Sequence, residues 1–239
     1  MKLPVLMYHK VSEHETPGRL NVSPKQLEKQ FRYLWESGFK PISVQELLDH
    51  ISSGRQLPAK PVMITFDDGY ESQFSNVYPL LLRYNMKAVI FLTAGFIQNA
   101  NINSQSEYIT IENILAMKQE NVEYGLHTME HKSYEELPLE EIEKDIKDLK
   151  LFFSLHEIPF VSCLAYTFGA FPRNDKEKRI MLFKLFEKEG IHLAFRIGNR
   201  VNVLPFKRKF LIQRIDIRGD DPSWKFKWMI RYGRKWLPI

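Results

Sequence analysis

The 239-residue chain is 44% hydrophobic and 26% charged, with a net charge of +5, an ordinary balance for a water-soluble globular fold. No window approaches the roughly 18 apolar residues of a membrane span. The single cysteine, Cys163, excludes an intrachain disulfide. The charge is uneven: from Pro205 to Ile239 there are ten Lys/Arg against three Asp/Glu, which leaves the rest of the chain slightly acidic. No repeat, low-complexity run or Gly/Ser linker divides residues 1–239, so one domain is expected, with a basic aromatic helix at about 221–239. The N-terminus "MKLPVLMYH" lacks a cleavage-site pattern, and a cytoplasmic protein is expected.

In chain order, "LPVLMYH" (3–9) reads as a buried strand. Ser23 and Pro24 supply an N-cap and a first-turn proline for a helix with Leu27, Phe31 and Leu34 on one face. "FKPIS" is a short strand, and Ser43 with Glu46 forms a capping box opening "VQELLDHI". "PVMITF" (61–66) and "KAVIFLT" (87–93) are strands on either side of a helix at "YPLLLRY". A helix runs from Thr110 to about Lys118, a strand over 122–127, and a long helix from Pro138 to about Leu155. "VSCLAY" (161–166) is a strand, Lys176 to Glu189 a helix closed by Gly190. "IHLAFRI" (191–197) and "FLIQRIDI" (210–217) are strands, and Asp221-Pro222 starts the last helix. This alternation predicts an α/β fold with a mostly parallel sheet, open or closed into a barrel.

The unusual polar residues fall at the carboxyl ends of these strands, where parallel α/β folds carry their sites. His9 ends the first, Asp67 and Asp68 the third, and His127 another, with His131 four residues on. Two adjacent carboxylates are costly to desolvate together, so they either cap a turn or do chemistry. On a helical turn, the i, i+4 spacing of "HTMEH" puts both imidazoles on one side, able to grip one metal ion. Two His plus a carboxylate is the ligand set of hydrolytic zinc sites and of other divalent-metal sites. Zinc is the expected ion, with Ni, Co, Fe or Mn as alternatives. One aspartate then faces the metal and its neighbour accepts a proton from water. Gly69 permits a sharp turn after them.

His9 is either a rim residue or a general acid. "AYTFGAFP" (165–172) is either a plain loop or a source of oxyanion-binding N–H groups. His14, His50 and His156 read as surface residues. Trp224, Trp228, Tyr232 and Trp236 recur at four-residue steps among Lys and Arg. That stripe either packs on the domain or meets an anionic membrane or lipid-linked substrate. No nucleic-acid motif accompanies it.

"TFDDGY" followed by "HTMEH" resembles the polysaccharide deacetylase family, carbohydrate esterase family 4. The opening "LPVLMYHKVSE" and "LAYTFG" are similar to the branch containing the poly-N-acetylglucosamine deacetylases. The resemblance covers about residues 3–215 and implies a distorted (β/α)7-type barrel that removes acetyl groups from N-acetylated sugars with a metal's help. It implies Asp67 as general base, Asp68, His127 and His131 as metal ligands, His9 as general acid, and Tyr166 and Gly169 at the oxyanion. The chain departs from the family at Thr167, where Pro is usual. It also lacks the Leu-x-His motif near its end, and Arg173 is offset from the place where an Arg holds the base. An intracellular N-acetylhexosamine-containing glycan or lipid-linked glycan precursor is the expected substrate. O-acetyl ester hydrolysis and non-catalytic carbohydrate or lipid binding on the same fold are the alternatives.

Overall fold

The computed structural model describes residues 1–234. Seven strands form the barrel: β1 (Val5–Tyr8), β2 (Pro61–Asp68), β3 (Ala88–Leu92), β4 (Val122–Leu126), β5 (Cys163–Ala165), β6 (Leu193–Ile197) and β7 (Ile212–Asp216). Every neighbouring pair is parallel. The ring runs β1–β2–β3–β4–β5–β6–β7 and closes by pairing β7 with β1 at Ile215↔Leu6 and Asp216↔Met7. The expected distorted (β/α)7 barrel is therefore what forms. The predicted strand at "FKPIS" is reduced to Lys40–Pro41, paired with the start of β2 outside the ring.

Alternation along the strands sorts the core into two layers. Val5, Met63, Val89, Phe91, Cys163, Leu193, Phe195 and Ile212 form the inner one. The residues between them, such as Leu6, Ile64, Ile90, Leu164 and Ile215, pack outward against the helices. Helix α1 (Pro24–Glu36) contributes Leu27, Phe31 and Leu34 to that outer layer, entered through the Ser23 cap. The capping box of Ser43 and Glu46 is formed at α2 (Val44–Ser53), whose Val44 and Leu47 join the inner layer. A five-residue π turn, Gln73–Val77, leads into α3 (Tyr78–Arg83).

Helix α4 (Ala94–Ile102) carries no clear sequence signal. Its buried positions are Ala94, Ile97 and Ala100, interspersed with Gly95 and two asparagines, so its apolar face is too small to show a period. Helix α5 (Ile111–Ala116) is shorter than the expected run to Lys118. Helix α6 (Leu139–Leu155) buries Ile142, Ile146, Leu149 and Phe153, and α7 (Lys176–Lys188) is capped by Asp175.

Helix α8 (Ser223–Tyr232) buries Phe226, Met229 and Ile230. Its packed face is therefore not the four-residue aromatic stripe. Trp224 is 58% exposed and Tyr232 is also exposed. Trp228 packs at a tilt of 43° against Tyr232 with centroids 4.6 Å apart, while Trp236 lies outside the described residues.

Candidate active site

The site is built at the carboxyl rim of the barrel. In a regular strand, neighbours point to opposite faces. Asp67 continues the inward set of Met63 and Thr65, so Asp68 would point outward. It does not, because Asp68 takes the left-handed conformation with φ 74°. Aspartate tolerates this region better than most residues, at a cost of about 1–2 kcal/mol. Both carboxylates consequently reach the same imidazole: His127 Nε2 is 4.0 Å from Asp67 Oδ2 and 3.3 Å from Asp68 Oδ1. Gly69 follows with φ 76°, and a Cβ there would meet Leu92 at 2.9 Å. The turn requires that glycine.

His127 and His131 do come together, but not on a helix. The segment between them is irregular, with Thr128 and His131 in left-handed conformations. Its course is fixed from outside. The Met129 N–H donates to Asp145 Oδ1 on α6 at 3.0 Å, and the Tyr134 hydroxyl donates to Asp145 Oδ2 at 2.6 Å. Gly95 at the start of α4 donates to the Met129 carbonyl, and a Cβ on it would press on Glu130 and Met129. His127 Nδ1 lies 2.8 Å from the Ala165 carbonyl. That contact assigns the proton to Nδ1 and leaves the Nε2 lone pair aimed into the site.

Asp68 Oδ1, His127 Nε2 and His131 Nε2 converge, the last 3.1 Å from the carboxylate oxygen. Asp68 Oδ1 is buried without a hydrogen-bond partner. Three inward-facing donor atoms around an orphaned carboxylate oxygen fit a divalent cation, with open positions left for other ligands. Although burial opposes ionisation of Asp68, His127 and His131 in their protonated forms hold its carboxyl far below the usual range.

Asp67 is treated differently. Arg214, fully buried on β7, clamps it with two hydrogen bonds, Nη2 to Oδ2 at 2.7 Å and Nη1 to Oδ1. Burial raises the Asp67 pKa, but Arg214, followed by His127 and His9, outweighs it and keeps the group low. Arg173, offset in sequence from the family position for this role, sits over the Phe171 ring at 5.6 Å. The available signal for Arg214 was its parity. It shares the inward face of a barrel strand with Ile212, where a charge must be paired.

His9 reaches the site, with Nε2 3.9 Å from Asp67 Oδ2. Its main chain is tied to the base by Gln73, fully buried in the π turn. Gln73 Nε2 donates to the carbonyls of His9 and Asp67 at 3.0 and 2.7 Å. Nothing in the sequence singled out Gln73.

The oxyanion assignment needs correction. The Tyr166 N–H is spent on the Phe195 carbonyl, a barrel bond, and the Gly169 N–H on the Tyr166 carbonyl. Neither can donate to a substrate. The N–H groups of Thr167 and Phe168, between them, have no hydrogen-bond acceptor among the described residues. Phe168 has φ 58°, and its ring packs edge-on against His131 with centroids 4.8 Å apart. Gly169 serves the close approach of this turn to β6: a Cβ there would meet Ile197 at 2.6 Å.

Residues 54–180, more than half of the chain, match the family described as polysaccharide deacetylase, and the chain belongs to that family. Among named relatives, YxkH of Bacillus subtilis (strain 168), whose name places it in the same family, is 30% identical over 152 residues. The match covers 64% of this chain and 51% of that one. The poly-β-1,6-N-acetyl-D-glucosamine N-deacetylase of Escherichia coli (strain K12) is 34% identical over 85 residues, 35% of this chain and 13% of its own length. The chain thus spans about half of the first relative and a small part of the second. A Streptococcus pyogenes deacetylase solved in complex with acetate shares the fold with a TM-score of 0.78 at 20% identity, over 92% of this chain and 94% of that one.

Proposed function

We propose that the protein is a metal-dependent hydrolase that removes N-acetyl groups from an N-acetylhexosamine-containing glycan or lipid-linked glycan precursor. The observation that carries this reading is the division of labour between adjacent carboxylates. Asp68 shares a donor set with His127 and His131, whereas Asp67 is held apart by Arg214. Asp68, His127 and His131 would hold the cation, zinc being the ion their chemistry favours. When bound, the ion supplies Lewis-acid polarisation of an acetyl carbonyl and a lowered pKa for water.

The chain's own residues do the rest. Asp67, kept ionised by the Arg214 fork, accepts the proton of the attacking water. The free N–H groups of Thr167 and Phe168 lie on the turn beside His131, where an oxyanion would develop. His9, 3.9 Å from Asp67, would protonate the departing amine. The rings of Phe96 and Phe168 flank His131 and narrow the access of solvent to it. Amide hydrolysis is favoured over ester hydrolysis by this acid, since an amine leaves poorly without a proton. The name of the E. coli relative points the same way.

A cytoplasmic location at the inner face of a membrane belongs to the same proposal. It is supported by exposed Trp224 on α8 beside Lys225, Lys227 and Arg231. Acetate release from matched N-acetyl and O-acetyl hexosamine substrates tests the reading. Release from the amide, abolished in Asp67→Asn, is expected; release from the ester alone would replace it with an esterase.

A further inference from the structure

The stretch between Glu189 and Asp216 contains no acidic residue but carries Arg196, Arg200, Lys207, Arg208, Lys209 and Arg214. Arg214 is spent on Asp67, and Lys209 pairs with Glu187. Arg196, Arg200, Lys207 and Arg208 make no ion pair with any described residue, nor does Arg173 on the neighbouring loop. Arg196 is half-buried on the outer face of β6. Its Nε is buried with no acceptor, and its Nη1 reaches only the carbonyl of the next residue, Ile197. Burial, reinforced by the like charges of Arg173, Arg200 and Arg208, lowers its pKa. A half-buried guanidinium surrounded by its own sign is an arrangement that lacks an anion.

There is room for one. A cavity of about 760 Å³ is lined by Arg196, Lys207 and Arg208. The guanidinium groups of Arg173 and Arg196 lie 5.6 and 5.4 Å from the Phe171 ring centroid, which joins them into one surface. That surface abuts the active site through a single turn. Phe168 touches His131, Gly169 packs on Ile197, and Phe171 follows. Three residues of chain span at most about 11 Å, so Phe171, which carries the two guanidinium groups, stays close to Phe168 at the edge of the site.

We infer that the Arg173–Arg196–Arg208 cluster binds a phosphate or diphosphate group carried by the acetylated sugar substrate. Guanidinium forks suit phosphate oxygens better than a lone ammonium would. The inference rests on the deacetylase reading for its substrate but not for its anion site.

The test therefore has two arms. Inorganic pyrophosphate is titrated calorimetrically into wild type and into Arg173→Gln/Arg208→Gln, both exposed positions, with the fold of the variant checked by circular dichroism. Loss of charge-assisted bonds should weaken binding at least about tenfold. In the second arm, kcat/KM for acetate release is compared between a diphosphate-linked N-acetylhexosamine and a neutral N-acetylhexosamine oligosaccharide. The ratio should favour the diphosphate in wild type and fall at least about tenfold in the variant, through KM. Equal pyrophosphate affinity in both proteins, or binding only to phosphatidylglycerol vesicles, would overturn the inference, as would an unchanged substrate ratio. Arginine-dependent pyrophosphate binding with no acetate release from any substrate would sink the deacetylase reading and leave the anion site standing.

Discussion

The rim of β2 and β4 and the flank of β6 handle charge in opposite ways. At the rim, compensation is nearly complete. Asp67 has the Arg214 fork, Asp68 has two imidazoles, and His127 gives its second nitrogen to the Ala165 carbonyl. On the flank, Arg173, Arg196, Arg200 and Arg208 gather without a described counter-ion. A compensated cluster holds fixed protonation states, which is what proton transfer requires. An uncompensated one keeps its field for something that arrives from solution. The lesson is that the two aspartates were the obvious charges, yet the reactive centre is defined by what neutralises them.

That contrast can be broken most severely at Asp68. Asp68→Asn removes the shared carboxylate, and acetate release should fall to background together with bound metal, measured by elemental analysis of purified protein. Asp67→Asn should lower kcat by about 10²–10⁴-fold, the range for a lost general base, while metal content stays.

Arg214→Met uncovers the Asp67 carboxylate. Breaking a buried pair from one side costs about 3–5 kcal/mol, read as a lower denaturation midpoint. The double variant Asp67→Asn/Arg214→Met should recover part of that loss. The pH dependence has a definite sign. In the wild type the Asp67 pKa is depressed, so its contribution to stability is complete above the ordinary value of about 3.9. It is lost as pH falls through the lower, folded value. Without Arg214, burial acts with less opposition, the pKa rises, and an acid limb in kcat/KM should move toward neutrality. A wild-type-like limb in the variant would deny Arg214 its role.

A smaller effect sharpens the picture. Asp145→Asn loosens the loop carrying His127 and His131, since it replaces one of the two carboxylate oxygens that accept from Met129 and Tyr134 with an NH2 donor and removes the charge. A loss of about 10–100-fold in metal affinity is expected for such an outer partner, with Asp67-dependent proton transfer intact at saturating metal.

Much of the barrel was legible because most strands are runs of apolar, β-favouring residues followed by a helix. The metal-ligand candidates were legible because Asp, Asp, His and His are uncommon at strand ends. What escaped was whatever depended on tertiary placement and backbone conformation, closure of the ring first. Arg214 meets Asp67 only because β7 returns to β1, bringing together residues 147 apart in sequence. Gln73 works through main-chain carbonyls, Asp145 through a loop amide, and the Thr167 and Phe168 N–H groups through backbone conformation. None of these leaves a residue-type signature. Tyr166 and Gly169 looked like donors by position, but a strand bond and a tight turn had already claimed their N–H groups. In α8 the four-step aromatic repeat drew attention away from Phe226, Met229 and Ile230, which do the packing.

The central claim is that Asp68 holds the ion and Asp67 moves the proton. Metal stoichiometry and single-turnover acetate release, measured side by side in Asp67→Asn and Asp68→Asn, test it most directly. Metal retained without acetate in the first, and both lost in the second, is the predicted result. Metal lost equally from both variants, or acetate released by Asp67→Asn at the wild-type rate, would contradict it.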